Sequence, residues 1–352
     1  MEHSAQPPAP LDLGPVPWAA TLWQNTPLLY ERLRNRLAGC APNTQRALAS
    51  DWTSWRSWCQ TKGVDTFPAS PQALVDYVMA HSPPLELDDR GTVSMNPDAT
   101  GPKIRRARTV TRWLASLSTL HRVADIPDPT RHADVVAAKR VVLRGRDTPD
   151  QKAPLRWTDV LRALEVIGTE DLRDLRARAL LAVAYSTLGR RAELVALEVE
   201  DVTFSESGDG SLTLQTKGGG QAERYLAPEA RQALELWLDK AKIYAGPIFR
   251  RIDKNGGIGQ RAINSEEVAR TFKGIAGLID LDSARPASRI SGDSTRIGAA
   301  QDLTVAGAAL PEIMIAGGWQ SPQMPGQYAR KLDVNKGAMR RMLETTRKQH
   351  DD

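Results

Sequence analysis

The chain has 352 residues, 41% of them hydrophobic and 25% charged, enough for two domains with separate cores. Two cysteines, Cys40 and Cys59, exclude a disulfide framework and a thiolate zinc site, and no apolar run is long enough to cross a bilayer. A net charge of +5 permits a polyanionic partner without requiring one.

Residues 1–20 are Pro-rich and lack a basic stretch followed by an apolar one, so they read as a disordered tail rather than a signal peptide. With so few cysteines, a reducing cytoplasmic setting is expected. Helix signals follow at 26–37 and 43–62. The second has Asn43 or Thr44 as a candidate cap and Gly63 as its stop. Leu48, Trp52, Trp55 and Cys59 fall on one apolar face, and Arg46, Arg56 and Lys62 lie elsewhere. Ser70 and Pro71 open a third helix. Residues 83–102 are turn-rich and predict a loop.

The spacing over 103–124 predicts another helix. Val110, Leu114, Leu117 and His121 share one side, and Arg105, Arg108 and Arg112 share another. That arginine row has two readings, a solvated face or a nucleic-acid contact. HADVVAAKRVVLRG gives a further short helix with a basic end.

Residues 145–154, polar and without apolar periodicity, predict a linker between a domain at 21–144 and one at 155–352. LRWTDVLRALEVIG and DLRDLRARALLAVAYSTLG then read as helices, with Thr158 and Asp159 suited to the first start. The alternation of SLTLQ between GDG and GGG, closing at RYLAP, predicts a small antiparallel sheet. Helices are expected from PEARQALELWLDKA to the end.

Two segments carry chemistry. SGDSTRIGAAQDLTVAGAALPEIMIAGGWQSPQMPGQYARKLD offers Arg296, Trp319 and Tyr328, and AYSTLGRRAELVALEVEDV offers an upstream arginine turn. Two guanidiniums suit the paired oxygens of a phosphate, and a phenol is a possible nucleophile. Each has a plainer reading. Tyr328 could be an ordinary helical tyrosine, Arg190 with Glu193 a surface ion pair, and Trp319 packing alone.

Taken in order, WCQTKGVDTFPASP, AYSTLGRRAEL, SGDSTRIGAA, ALPEIMIAGGWQ, YARKLD and GAMRRMLE resemble the tyrosine recombinases of the phage-integrase superfamily, Cre-like members in particular, over nearly the whole chain after the tail. The resemblance implies a mainly α fold. It consists of an N-terminal helical core-binding (SAM-like) domain and a C-terminal, mostly helical catalytic domain with a small antiparallel sheet. It implies Arg190 and Arg296 as the catalytic arginines, Glu193 as the acidic buttress of Arg190, and Lys217 as proton donor to the leaving 5′ oxygen. Trp319 stands where other members often hold His, and Tyr328 is the implied nucleophile. No cofactor or metal is implied.

The resemblance further implies a clamp on double-stranded DNA at a short site with inverted repeats. Arg46, Arg105, Arg106, Arg108 and Arg112 would face the duplex, in a homotetramer closed by C-terminal helices, without membrane contact and near the nucleoid. Ala338, Met339, Met342 and Leu343 would give that C-terminal helix its apolar face.

One position departs from the family pattern. Asp293 stands where the family usually has His, and none of His3, His81, His121, His132 and His350 is close in sequence. A carboxylate can accept a proton, but at about 5 Å from a phosphate its charge would cost up to about 3 kcal/mol at an effective dielectric near 20. Pairing with Arg296 or Arg190 would reduce that. Three outcomes are open: an active recombinase with a carboxylate base, a slower one, or a catalytically weak or inactive DNA-binding protein. A strand-passing relaxing enzyme of similar chemistry is a further alternative.

Overall fold

A computed structural model describes residues 27–87, 93–95, 104–144, 151–216, 219–282, 284–329, 332, 339–340 and 342–343. The tail expected at 1–20, Lys217 and Ala338 lie outside them. The chain divides into two compact units, Met1–Asp150 and Gln151–Asp352.

The first unit is built from α1 (Pro27–Ala38), α2 (Pro42–Lys62), α3 (Pro71–Ala80), α4 (Ala107–Ala124) and α5 (Ala133–Arg144). Its core gathers Leu33, Trp55, Leu74, Tyr77, Leu117 and Leu120. Trp55 is fully buried, and its indole N–H donates to the Thr66 carbonyl at 2.8 Å, so the polar end is satisfied. Neither Asn43 nor Thr44 caps α2. The N-cap is Ala41, without a side-chain bond, and Pro42 supplies the fixed φ of the first turn. Gly63 ends that helix at φ 65, and Ser70 caps α3 by accepting from the Ala73 N–H at 3.2 Å.

The stretch expected to be a loop carries a short antiparallel pair, β1 (Leu85–Leu87) with β2 (Val93–Met95). Three residues a side are too few for alternation to show in the sequence. Within α4, Arg112 is tied down: its Nη2 lies 2.7 Å from Asp51 Oδ1, and the Ser116 hydroxyl donates to the other carboxylate oxygen at 2.7 Å. Asp51 is buried, so this pair fastens α4 to α2.

The second unit starts with an extended segment. The Ala153 N–H donates to the Arg289 carbonyl at 3.0 Å and the Leu155 N–H to the Ser294 carbonyl at 2.9 Å, so residues 151–154, expected as linker, are packed here. Then come α6 (Trp157–Val166), α7 (Leu172–Thr187), α8 (Arg191–Val195), β3 (Val202–Phe204), β4 (Gly210–Gln215), β5 (Gln221–Leu226) and α9 (Pro228–Ala241). Thr158 does not cap α6. Its N-cap is Arg156, whose N–H donates to the Asp159 carboxylate at 2.8 Å. Leu175 and the run from Ala179 to Ala184 are buried, so α7 is apolar on most sides and forms the axis of the core. The sheet runs β3-β4-β5, antiparallel, with Leu212 opposite Arg224.

A second hairpin, β6 (Arg250–Ile252) with β7 (Ile258–Ala262), interrupts the run expected to be helical. Its strands are charged and mostly surface-lying, so no buried face marks them in the sequence. Helices α10 (Ser265–Leu278), α11 (Ser294–Val305), α12 (Leu310–Gly317) and α13 (Gln323–Ala329) complete the unit. At Gly298 on α11, a Cβ would collide with the Leu155 carbonyl, so only glycine lets the helix lie against that extended segment. Among the described residues no helix is long and apolar enough to cross a membrane.

Candidate active site

Helix α7 is closed by its C-cap Leu188, which adopts φ 49, and the chain turns through Gly189 to Arg190, the N-cap of α8. Three residues on, Glu193 accepts from the Arg190 backbone N–H at 2.7 Å and from its Nη1 at 2.6 Å. One buried carboxylate thus fixes both the backbone and the guanidinium, and the second guanidinium nitrogen donates to the Gly318 carbonyl at 3.2 Å. The Arg190 side chain remains 38% exposed, so part of it is open to a ligand.

Arg296 lies in the first turn of α11 and is only 3% exposed. Its Nη1 donates to the Leu188 carbonyl and its Nη2 to the Gly317 carbonyl at 3.1 Å. Its Cζ sits 4.7 Å from the Trp319 ring centroid, and that ring meets Tyr328 edge-on at 6.0 Å and 73°. Gly317 leaves no space for a Cβ beside the Trp319 indole, and Gly318 takes φ 61, so the glycine pair lets the tryptophan fold back over Arg296.

Tyr328 is 9% exposed on α13. Its backbone carbonyl accepts from Gln301 Nε2 at 2.9 Å and from Gln151 Nε2 at 3.4 Å. Gln301 in turn accepts from Arg156 Nη2 at 2.9 Å, while Arg156 Nη1 lies 2.7 Å from Asp302. The Tyr185 hydroxyl donates to Asp302 at 2.6 Å, so this tyrosine has a polar partner and not only a packing role. A buried polar chain therefore links α6, α7 and α11 to the backbone of Tyr328.

The electrostatics are coupled. Burial foremost, then the like charge of Arg190, pushes Arg296 down to about 10, so it stays protonated at neutral pH. Glu193, Tyr328 and Asp293 pull the other way. Burial and then Asp293 raise the Tyr328 phenol above its ordinary value, against Arg296 and Arg190. Asp293, the N-cap residue of α11, is half-buried and forms no ion pair among the described residues, so the relief expected from direct pairing with an arginine is absent. Its charge reaches both Tyr328 and Arg296 through space.

A cavity of about 700 Å³ opens here, lined by Arg190, Thr216, Arg224, Met314, Gly318 and Trp319 among others. The structure brings together Arg190, Glu193, Asp293, Arg296, Trp319 and Tyr328, from four separate elements and their flanks. Arg46, Arg105, Arg106 and Arg108 are exposed in the first unit, and Arg112 is paired with Asp51. Among the described residues no group of three or more His, Cys, Asp or Glu side chains could hold a metal.

Sequence reasoning missed Arg224, Gln301, Gln151 and Asp302. For Arg224 a signal existed: Ala222, Arg224 and Leu226 share one phase of β5, and Gln221, Glu223 and Tyr225 share the exposed phase. A charge in the inward phase of a strand marks a polar site beneath it. The glutamines gave no signal, because Gln301 in a helix and Gln151 in an expected linker both read as surface.

The phage integrase family model matches residues 155–334. The chain is 29% identical over 355 residues to the recombinase cre of Escherichia phage P1, covering 95% of this chain and 96% of that one. It is 31% identical over 255 residues to an integrase/recombinase xerD homolog of Selenomonas ruminantium, covering 69% of each. The fold is similar to that of the Tn1549 transposon integrase in complex with circular intermediate DNA, with TM-score 0.56 and 16% identity, covering 91% of this chain and 98% of that one.

Proposed function

The chain belongs to the phage integrase family and is a site-specific tyrosine recombinase; from that premise we propose that it cuts and rejoins double-stranded DNA through a 3′-phosphotyrosyl intermediate. The observation that carries this reading is the convergence of Arg190, Arg296 and Tyr328, which act on one another electrostatically, with Trp319 in contact with both the buried arginine and the tyrosine and, with Arg190, on a cavity wall.

The scissile phosphate lies between the two guanidiniums. As the Tyr328 oxygen adds to phosphorus, negative charge grows on the non-bridging oxygens, and Arg190 and Arg296 stabilise it. Removing one such donor typically costs about a hundred- to thousandfold in rate. The phenol proton passes to Asp293, whose field already reaches Tyr328. The bond from phosphorus to the 5′ oxygen breaks, and Lys217 supplies that oxygen's proton. The phosphotyrosine conserves the bond energy, so a free 5′ hydroxyl reverses the step.

The substrate on this reading is a short site with inverted repeats, bound by a homotetramer in the cytoplasm on nucleoid DNA. Arg46, Arg105, Arg106 and Arg108 are exposed, which suits phosphate contacts by the first unit. Arg112 serves α4 packing first. Met339, Met342 and Leu343 are 67%, 49% and 44% exposed, which suits docking of the C-terminal segment on a neighbouring subunit.

The test is covalent capture. The full chain is incubated with a duplex selected by binding from a random-sequence library and nicked near the cut position. A denaturation-resistant adduct, absent in Tyr328→Phe, is expected. Tight binding without adduct would support the DNA-binding alternative, and adduct formation without exchange between paired sites would support a relaxing enzyme.

A further inference from the structure

The described charged groups gathered at the site balance poorly for binding an anion. Arg190 and Arg296 bring two positive charges, and Glu193 and Asp293 bring two negative ones. Glu193 is committed to Arg190. Asp293 has no ion pair among the described residues and acts on both Tyr328 and Arg296. A phosphodiester entering this set would gain little from its net charge.

Arg224 alters that balance. It projects from β5 in the same phase as the buried Leu226, facing the body of the unit. It lines the 700 Å³ cavity with Arg190, Thr216 and Trp319. Its Nη2 rests on the Cα side of Gly318, where any Cβ would strike it, and the carbonyl of the same Gly318 accepts from Arg190. The two arginines therefore flank one residue at one cavity wall. Among the described residues the Arg224 guanidinium makes one hydrogen bond, from Nη1 to the Glu223 carbonyl at 3.1 Å, so it keeps donors for a ligand. It is not in an ion pair among the described residues.

We propose that Arg224 is a third phosphate-binding cation of the active site, which restores the net positive charge that Asp293 removes. This rests on the recombinase reading of the cavity. The guanidinium reaches a non-bridging oxygen of the scissile phosphate or of its neighbour, both within the span of a cavity this size. Burial lowers the Arg224 pKa, as does Arg190 beside it, while Glu193 opposes the shift. An added anion would relieve the like-charge strain between the two arginines.

The test is the salt dependence of DNA affinity. Each lost phosphate contact removes about 0.9 from the slope of log affinity against log salt, whereas lost packing does not. The measurement uses the full chain in a Tyr328→Phe background, so that no adduct forms, with the library-selected duplex. Arg224→Gln is expected to reduce the slope by about one contact, and Arg224→Lys to restore it. With Tyr328 intact and the nicked duplex saturating, Arg224→Gln is expected to slow adduct formation at least tenfold. Arg190→Gln is the control. If it lowers the slope and Arg224→Gln does not, Arg224 binds no phosphate and the proposal falls while the recombinase reading stands. If neither changes the slope, the cavity is not the phosphate site. If Arg224→Gln unfolds the chain, Arg224→Lys decides: an unchanged slope supports the proposal, and a slope reduced by one contact in a folded protein overturns the claim that charge is what matters.

Discussion

The guanidinium carbon of Arg296 lies over the Trp319 ring, 4.7 Å from its centroid, and the same indole meets the Tyr328 ring edge-on at 6.0 Å. The tryptophan thus touches both side chains that the proposed mechanism assigns to phosphate binding and to attack.

Replacing Trp319 by Ala would remove those contacts and leave a void beside a buried charge. Loss of a buried tryptophan costs about 3–5 kcal/mol in typical cores. Adduct formation in Trp319→Ala is expected to fall at least a hundredfold, and Trp319→Phe should keep most of it. Equal losses in the two variants would show that ring contact is not the determinant.

Gln301 is expected to act on Tyr328 through its backbone. In Gln301→Glu the acceptor for Arg156 survives but the donor to the Tyr328 carbonyl is gone. Cleavage should drop about tenfold at saturating DNA, with affinity unchanged. An affinity loss without a rate loss would assign Gln301 to folding alone.

Asp293 invites a pH experiment. General-base catalysis is typically worth about a hundredfold or more. Asp293→Asn should lose about that much cleavage, and Asp293→His should keep activity within tenfold. In the His variant the acid limb of the pH–rate profile should move toward the imidazole range near 6.5. If Asp293→Asn cleaves as well as the natural chain, the carboxylate is not the base.

His121 supplies a stability test in the first unit. It is fully buried, and its Nε2 accepts from the Ala69 N–H at 3.0 Å while Nδ1 donates to the Leu117 carbonyl at 2.8 Å. A second proton has no place in that arrangement. Burial holds its folded pKa below the usual 6.5, against the Leu117 bond and Asp128. Below pH 6.5 the unfolded chain therefore binds the proton more readily, and stability falls as pH drops through that value. Urea unfolding at pH 7 and pH 5 should show this loss, and His121→Gln should reduce it. An unchanged difference between the two pH values in the variant would clear His121 of the effect.

Periodicity made the long helices legible. Leu48, Trp52, Trp55 and Cys59 are all buried on α2, and the β4–β5 hairpin follows the alternation of SLTLQ. Short or surface-lying strands were not legible, because β1 and β2 have three residues each and β6 and β7 lie mostly at the surface. Residues of the site carried by motif were visible beforehand, but the parts that hold them were not. Gln151 and Gln301 meet at one carbonyl from positions 177 and 27 residues away from Tyr328. No local pattern encodes such a meeting.

The anchoring of Tyr328 by glutamines of its own chain has a consequence for how a ring of subunits would work. On the proposed assignment each protomer would carry its nucleophile beside its own arginines, so possession of the parts would not decide which strand is broken first. Turn-taking would have to come from geometry passed around the assembly, with each neighbour permitting or forbidding a last small shift of α13.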